Sequence, residues 1–124
     1  MTILLNFQPF RGLVKWYNGG LQPRSFGAIP LEAGTMYYVY ILLSRKDERL
    51  YIGYTSDLKR RFCEHSRGNV ESTKNRRPLR LLGYEAYHSK NDAENREKYL
   101  KSGGKPSNEL KLRYSSSIED ILGA

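Results

Sequence analysis

Cysteine is nearly absent: Cys63 is the only one in 124 residues. A disulfide framework and a cysteine-ligated zinc site are thereby excluded, and the usage fits a reducing interior, with the cytoplasm as the expected location. Long apolar runs are missing too. No stretch approaches the roughly 20 residues that a membrane-spanning helix needs. The opening MTILLNFQPFRGLVKWYNGG lacks the charged start and clean apolar core of a secretory signal. Acidic residues are in short supply, 13 against 21 lysines and arginines, which leaves a formal net charge of +8. That balance points to an anionic partner. Nucleic acid comes first and an anionic membrane surface second, with a soluble domain that merely happens to be basic as the plain alternative. At this length one packed domain is expected, a monomer by default.

Several catalytic signatures are also missing. There is no glycine-rich phosphate loop followed by Lys-Ser/Thr, which argues against a nucleoside triphosphatase. No serine sits in a G-x-S-x-G turn. The two histidines, His65 and His88, are not spaced for zinc. Cys63 has cationic neighbours that favour its thiolate, but beside Phe62 it reads more readily as a structural cysteine than as a nucleophile.

What is present falls into two unlike parts. Residues 1 to 35 hold Gly12, Gly19, Gly20, Gly27 and Gly34, with Pro9, Pro23 and Pro30, but a single acid, Glu32. No helical or strand period persists there, so an irregular or disordered extension is expected. Met36 then opens a patterned region abruptly. It is the expected natural start, with the preceding residues derived from an over-extended reading frame. Peptides from that segment in the endogenous protein would overturn this expectation.

From Tyr37 the pattern is regular. Tyr37 to Leu43 is β-branched and aromatic, bounded by a charged turn, and predicts a strand. Tyr37, Val39, Ile41 and Leu43 face one way; Tyr38, Tyr40 and Leu42 face the other. Arg45 to Arg49 is a hairpin loop, and Leu50 to Tyr54 a second strand whose Gly53 signals close backbone approach or a bend. Thr55-Ser56-Asp57 is a helix start. Leu58 and Phe62 form the buried stripe of that helix, Arg61 and His65 the neighbouring one, and Gly68 ends it. A basic loop at 69–78 leads to a third strand from Leu79 to His88. Ser89 with Asp92 resembles a capping box for a helix from Lys90 to Lys101, stopped by Gly103-Gly104. Short terminal helices are expected at 107–114 and 118–122. The fold class is α+β: a small, mostly antiparallel three-stranded sheet with helices packed around it, in the order β-β-α-β-α-α. The domain spans 36–115, followed by a tail or short helix at 116–124.

Within this frame one set of residues suits a phosphodiester. Hydrolysis needs a base for water, cations on the pentavalent phosphate and help for the leaving oxygen. Tyr40 and Tyr51 lie on strands expected to pair, on positions that can face the same side. Arg61 follows Tyr51 by ten residues, His65 lies one turn further, and Glu97 is the acid on the inner face of the next helix. A hard cation such as Mg²⁺ can take one carboxylate and complete its shell with water and phosphate oxygens. Each residue also has a plain account. Strand tyrosines pack, adjacent arginines are solvated, a lone histidine caps or lies at the surface, and Glu97 pairs with Lys101 four residues on. Only the joint occurrence argues for a site.

That occurrence resembles the GIY-YIG nuclease superfamily, and in particular its small single-domain bacterial members. Tyr38-Val39-Tyr40 stands where the first tripeptide would be, with tyrosine in place of the first glycine, and Tyr51-Ile52-Gly53 matches the second in full. Tyr54 to Arg61, His65, Ser72-Thr73 to Arg77-Pro78 and Ala93 to Glu97 continue the likeness, which covers about 36–114. The resemblance implies a metal-dependent endonuclease that hydrolyses DNA with little sequence specificity, structure-selective in repair or recombination. Tyr40 and Tyr51 would be the active-site tyrosines, one of them assisting or acting as general base, and Arg61 would neutralise the scissile phosphate. His65 would occupy a position held elsewhere by histidine or tyrosine. Glu97 would ligate a single Mg²⁺ or Mn²⁺, with Glu94 as its rival. A tyrosine base needs positive charge nearby, which Arg61, His65 and the metal can supply. Asn108 is the nearest candidate for an asparagine that some members carry. No small-molecule cofactor is implied. Arg60, Arg67, Lys74, Arg76, Arg77 and Arg80 are the expected backbone contacts to nucleic acid, which position a strand without reading its sequence. The alternative is a non-catalytic nucleic-acid-binding module with the same fold; it has no need of Tyr40, Tyr51 and Glu97.

Overall fold

The structure is a computed structural model that describes residues 34–123. The expected N-terminal extension falls outside the described residues, Gly34 and Thr35 aside. The elements are β1 (Tyr37–Ser44), β2 (Leu50–Thr55), α1 (Leu58–Ser66), a 3₁₀ turn (Lys74–Arg76), β3 (Leu79–Tyr87), α2 (Lys90–Lys101), α3 (Lys105–Arg113) and α4 (Ser115–Gly123). The sheet runs β2-β1-β3, with β1 central and antiparallel to both neighbours. This is the α+β architecture that the strand and helix patterns predict. The terminal helices are longer than expected, and α4 takes in most of the stretch read as a tail or short helix.

A central strand is buried on both faces, and β1 reads accordingly as a continuous apolar run, with every residue from Val39 to Ser44 buried. Its alternation divides the core in two. Val39 and Ile41 pack with Ala93, Leu100 and Leu110 of α2 and α3, joined by Leu50, Ile52 and Tyr54. Tyr40 and Leu42 pack on the opposite face with Leu79, Tyr51, Leu58, Phe62 and Leu81, beneath α1. Leu58 and Phe62 are thus the packing stripe of α1, as their spacing predicts. On the β3 side Ile41 faces Gly83 and Leu42 faces Leu81, so Leu82 is the extra residue of a bulge. Gly83 has no room for a side chain: a Cβ there would come within 2.6 Å of the Tyr114 hydroxyl oxygen, at the junction of α3 and α4.

The ends of the elements follow the local chemistry of the chain. The Asp57 carboxylate accepts from the Arg60 backbone N–H at the start of α1, and the Ser89 hydroxyl accepts from the Asp92 N–H at the start of α2. Gly68, Gly103 and Gly104 take positive φ after the helices they end. One tertiary clamp lies beyond any local rule. Ser44 Oγ donates to the Arg76 carbonyl at 2.6 Å and accepts from the N–H groups of Lys46 and Asp47. The Arg76 guanidinium meets Asp47 at 2.7 and 3.3 Å and also donates to the Arg49 and Leu50 carbonyls. The 3₁₀ turn is thereby tied to the β1–β2 hairpin.

Candidate active site

Pairing of β1 with β2 sets Tyr40 opposite Gly53 and Leu42 opposite Tyr51. Residues directly opposite share a face, so both tyrosines project toward α1. Gly53 is what lets Tyr40 lie flat across the strand pair: a Cβ at that position would come within 2.5 Å of the Tyr40 ring carbon bearing the hydroxyl. The glycine of the second tripeptide is therefore the floor under the tyrosine of the first.

α1 delivers His65 between the two rings. The Tyr40 hydroxyl and His65 Nε2 are 2.9 Å apart. The imidazole meets the Tyr51 ring edge-on at 5.1 Å between centroids and the Tyr40 ring at 5.5 Å; the tyrosines are 6.4 Å apart. His65 Nδ1 bonds the Thr73 hydroxyl at 2.7 Å, and both His65 and Thr73 are wholly buried. The reading of His65 as a surface or capping histidine is thus corrected: it is the buried centre of a Tyr40–His65–Thr73 chain. Two tautomers complete this chain. In one, Tyr40 donates to the imidazole. In the other, Thr73 donates and the imidazole N–H points at the Tyr40 oxygen, as a phenolate would require. Thr73 enters only through tertiary contact; the Ser72-Thr73 dipeptide was its sole trace in the sequence.

The electrostatics follow from burial. Desolvation pushes the Tyr40 hydroxyl up to about 12; Arg61 opposes the rise, and the charges on Tyr51 and Glu97 add to it. Desolvation likewise pushes His65 down to about 4, with the Arg61 charge adding to the depression and Glu64 opposing it. His65 is therefore neutral at physiological pH. The expectation that it supplies positive charge to a tyrosine base does not hold, and among these side chains that charge falls to Arg61. The Arg61 guanidinium pairs with Glu64 at 2.9 Å, and about a third of its side chain is exposed. The same carboxylate takes Arg60 at 2.9 Å.

Glu97 comes from the other side of the sheet. β2 is an edge strand, α2 packs against the sheet face opposite α1, and the Glu97 charge contributes to the rise at Tyr40. Its side chain is 21% exposed and pairs with Lys101 at 3.1 Å, the helix-surface partner that the spacing predicts. Glu94, the rival, accepts from the Tyr54 hydroxyl at 3.0 Å. Among the described residues no group of three His, Cys, Asp or Glu side chains could enclose a metal. A nitrogen- or sulfur-ligated metal does not fit this donor set. A hard cation held by one carboxylate, with water and substrate oxygens as its other ligands, does fit. Lys101, whose own side chain is half exposed, would have to yield its place.

The expected nucleic-acid contacts are scattered in kind. Arg67 and Arg80 are exposed, without an ion pair among the described residues. Arg60 and Lys74 sit in exposed pairs with Asp57 or Glu64 and with Glu71, weak enough to exchange for a phosphate. Arg77 donates through Nε to the Lys74 carbonyl. Arg76 is the correction: its guanidinium is committed to Asp47 and to two backbone carbonyls, so it holds the hairpin instead of facing a ligand. Asn108 lies exposed near the start of α3, its backbone N–H bonded to the Gly104 carbonyl.

The chain is similar in sequence to known proteins. The family described as the GIY-YIG catalytic domain matches residues 36–111, more than half of the chain. A UPF0213 protein of Clostridium perfringens is 38% identical over 86 residues, which cover 68% of this chain and 90% of that protein. A UPF0213 protein of Natronomonas pharaonis is 43% identical over 67 residues, 53% of this chain and 78% of its own. The solution NMR structure of a UPF0213 protein from Bacillus halodurans is 35% identical, with a TM-score of 0.41, covering 63% of this chain and 83% of that one.

Proposed function

Because the chain belongs to the GIY-YIG catalytic domain family, a nuclease-type family, we propose that it is a Mg²⁺-dependent endonuclease that hydrolyses DNA phosphodiesters with little sequence specificity. The observation that carries this reading is the meeting of Tyr40, Tyr51 and His65, with ring centroids 5.1 to 6.4 Å apart, beside Arg61. Residues 36–115 would be the catalytic unit, acting as a monomer in the cytoplasm without a small-molecule cofactor.

The roles follow from the chemistry of each group. Arg61 faces the scissile phosphate and neutralises charge that grows on its oxygens. Tyr40 is the candidate base, and its high pKa has to fall before it can take a proton from water. The His65 tautomer that donates to its oxygen, together with the Arg61 cation, works in that direction. Thr73 fixes that tautomer by donating to Nδ1. Tyr51, against the imidazole edge, orients the water or the leaving oxygen. Glu97 would hold the metal, which when bound supplies positive charge to the phosphate and lowers the pKa of bound water.

Cleavage of plasmid and branched DNA with Mg²⁺ or Mn²⁺ tests the reading. Wild-type protein should cut and stop when the metal is chelated, and Tyr51→Phe and Glu97→Ala should each lose activity by about 100-fold or more. Cutting that persists in both variants would refute the assigned site. Retained binding with no cutting of any substrate would leave the binding module in its place.

A further inference from the structure

A second feature of the β2 edge is not used by the chemistry above. A half-open groove of about 370 Å³ runs between β2 and the α2–α3 turn, and its lining includes Arg49, Leu50, Tyr51, Ile52, Lys101 and Lys111. Its composition is mixed in a particular way. Leu50, Ile52 and Leu100 of its lining belong to the apolar cluster on this face of the sheet, and Arg49, Lys101 and Lys111 add cations. Arg49 and Lys111 are exposed, and neither side chain has an ion-pair partner among the described residues, while Glu48 is the one acid in the lining. Lys101 is the lining cation that also pairs with Glu97.

We propose that this groove is a binding subsite for one nucleotide of a single DNA strand, adjacent to the scissile phosphate. Arg49 and Lys111 would take backbone phosphates, and the apolar residues the face of a sugar or base. The proposal rests on the nuclease reading and deepens it. Three observations carry it. The volume suits one nucleotide and falls at the lower end of ordinary small-ligand sites. The charge is complementary to a phosphodiester backbone, which binds through just such surface cations. The groove also includes Tyr51 of the candidate centre, and its Lys101 pairs with Glu97, so a strand lying in it runs along the same β2 edge as those two residues. These cations come from the hairpin loop and α3, whereas the sequence points to Arg60 and to the loop and strand from Arg67 to Arg80.

The test is binding of a short fluorescein-labelled single-stranded DNA in chelator, so that no cutting intervenes, followed over a range of salt. The double variant Arg49→Ala/Lys111→Ala should bind several-fold more weakly than wild type, with the slope of log affinity against log salt shallower by about 1.4. Both side chains are exposed, so circular dichroism and melting should be unchanged, which separates lost binding from lost folding. Arg67→Ala/Arg80→Ala serves as the comparison on the other basic surface. Affinity and salt slope equal to wild type in Arg49→Ala/Lys111→Ala would overturn the groove, whether or not the protein cuts DNA. Loss confined to this variant in a protein that never cuts would uphold the groove while the nuclease reading falls. An equal loss with free nucleoside monophosphate as competitor would uphold the nucleotide class; a competitor effect matched by inorganic phosphate alone would overturn it in favour of a bare anion site.

Discussion

Gly53 and His65 carry consequences out of proportion to their size. Replacing Gly53 by alanine puts a methyl group where the Tyr40 ring lies, and the neighbour in the way is a buried aromatic of the core, not the free end of a flexible chain. Gly53→Ala should destabilise the protein by about 1–3 kcal/mol in urea denaturation and displace the Tyr40 hydroxyl, with cleavage lost beyond what stability explains. Denaturation unchanged from wild type would refute this packing. His65 makes a pH prediction. Its folded pKa, about 4, lies below its ordinary 6.5, so the unfolded chain binds the proton first as pH falls. Stability from this group is complete above pH 6.5, declines between 6.5 and about 4, and is then flat; the fall amounts to about 3 kcal/mol. In His65→Gln the decline over that window should flatten, which urea midpoints at several pH values would read directly.

Among the elements, the hairpin and the 3₁₀ turn behave as one piece because Ser44, Asp47 and Arg76 join them. Arg76 holds the Asp47 carboxyl down at about 2, so the pair persists through mildly acidic solution. Asp47→Ala and Arg76→Ala should each cost about 1 kcal/mol, with a double-mutant cycle showing that the losses overlap. Neither change should alter the salt dependence of DNA binding, in contrast to Arg49→Ala/Lys111→Ala; a shallower slope in Arg76→Ala would return that residue to the interface. Strand and helix types were legible before the fold, since a seven-residue apolar run and two capping sequences leave little choice of local structure. The β3 bulge was not, because it depends on how β1 and the Tyr114 ring meet Gly83.

At the scale of the molecule, charge and topology act together. With a net charge of +8, DNA binding should weaken steeply with salt for any sequence, and a filter or anisotropy series would show a similar slope for unrelated sequences of the same length. Chelation should abolish cutting while leaving that binding in place; cutting that survives exhaustive chelation would refute the single-carboxylate metal site. The two-sided core around β1 explains how a chain this short packs α1 on one face of the sheet and α2 on the other.

The sequence by itself determined the elements, the side of the sheet on which Tyr40 and Tyr51 fall, and the family likeness, because strand alternation, capping and short motifs are local properties of a chain. Tertiary structure alone decided that His65 is buried and neutral, that Thr73 completes its hydrogen bonding, that Arg76 serves the hairpin, and that Arg49, Lys101 and Lys111 line one groove. Each of these depends on what lies across from a residue in space. Desolvation and ion pairing are set by neighbours far along the chain: Tyr40 and His65 are 25 positions apart, and Asp47 and Arg76 are 29.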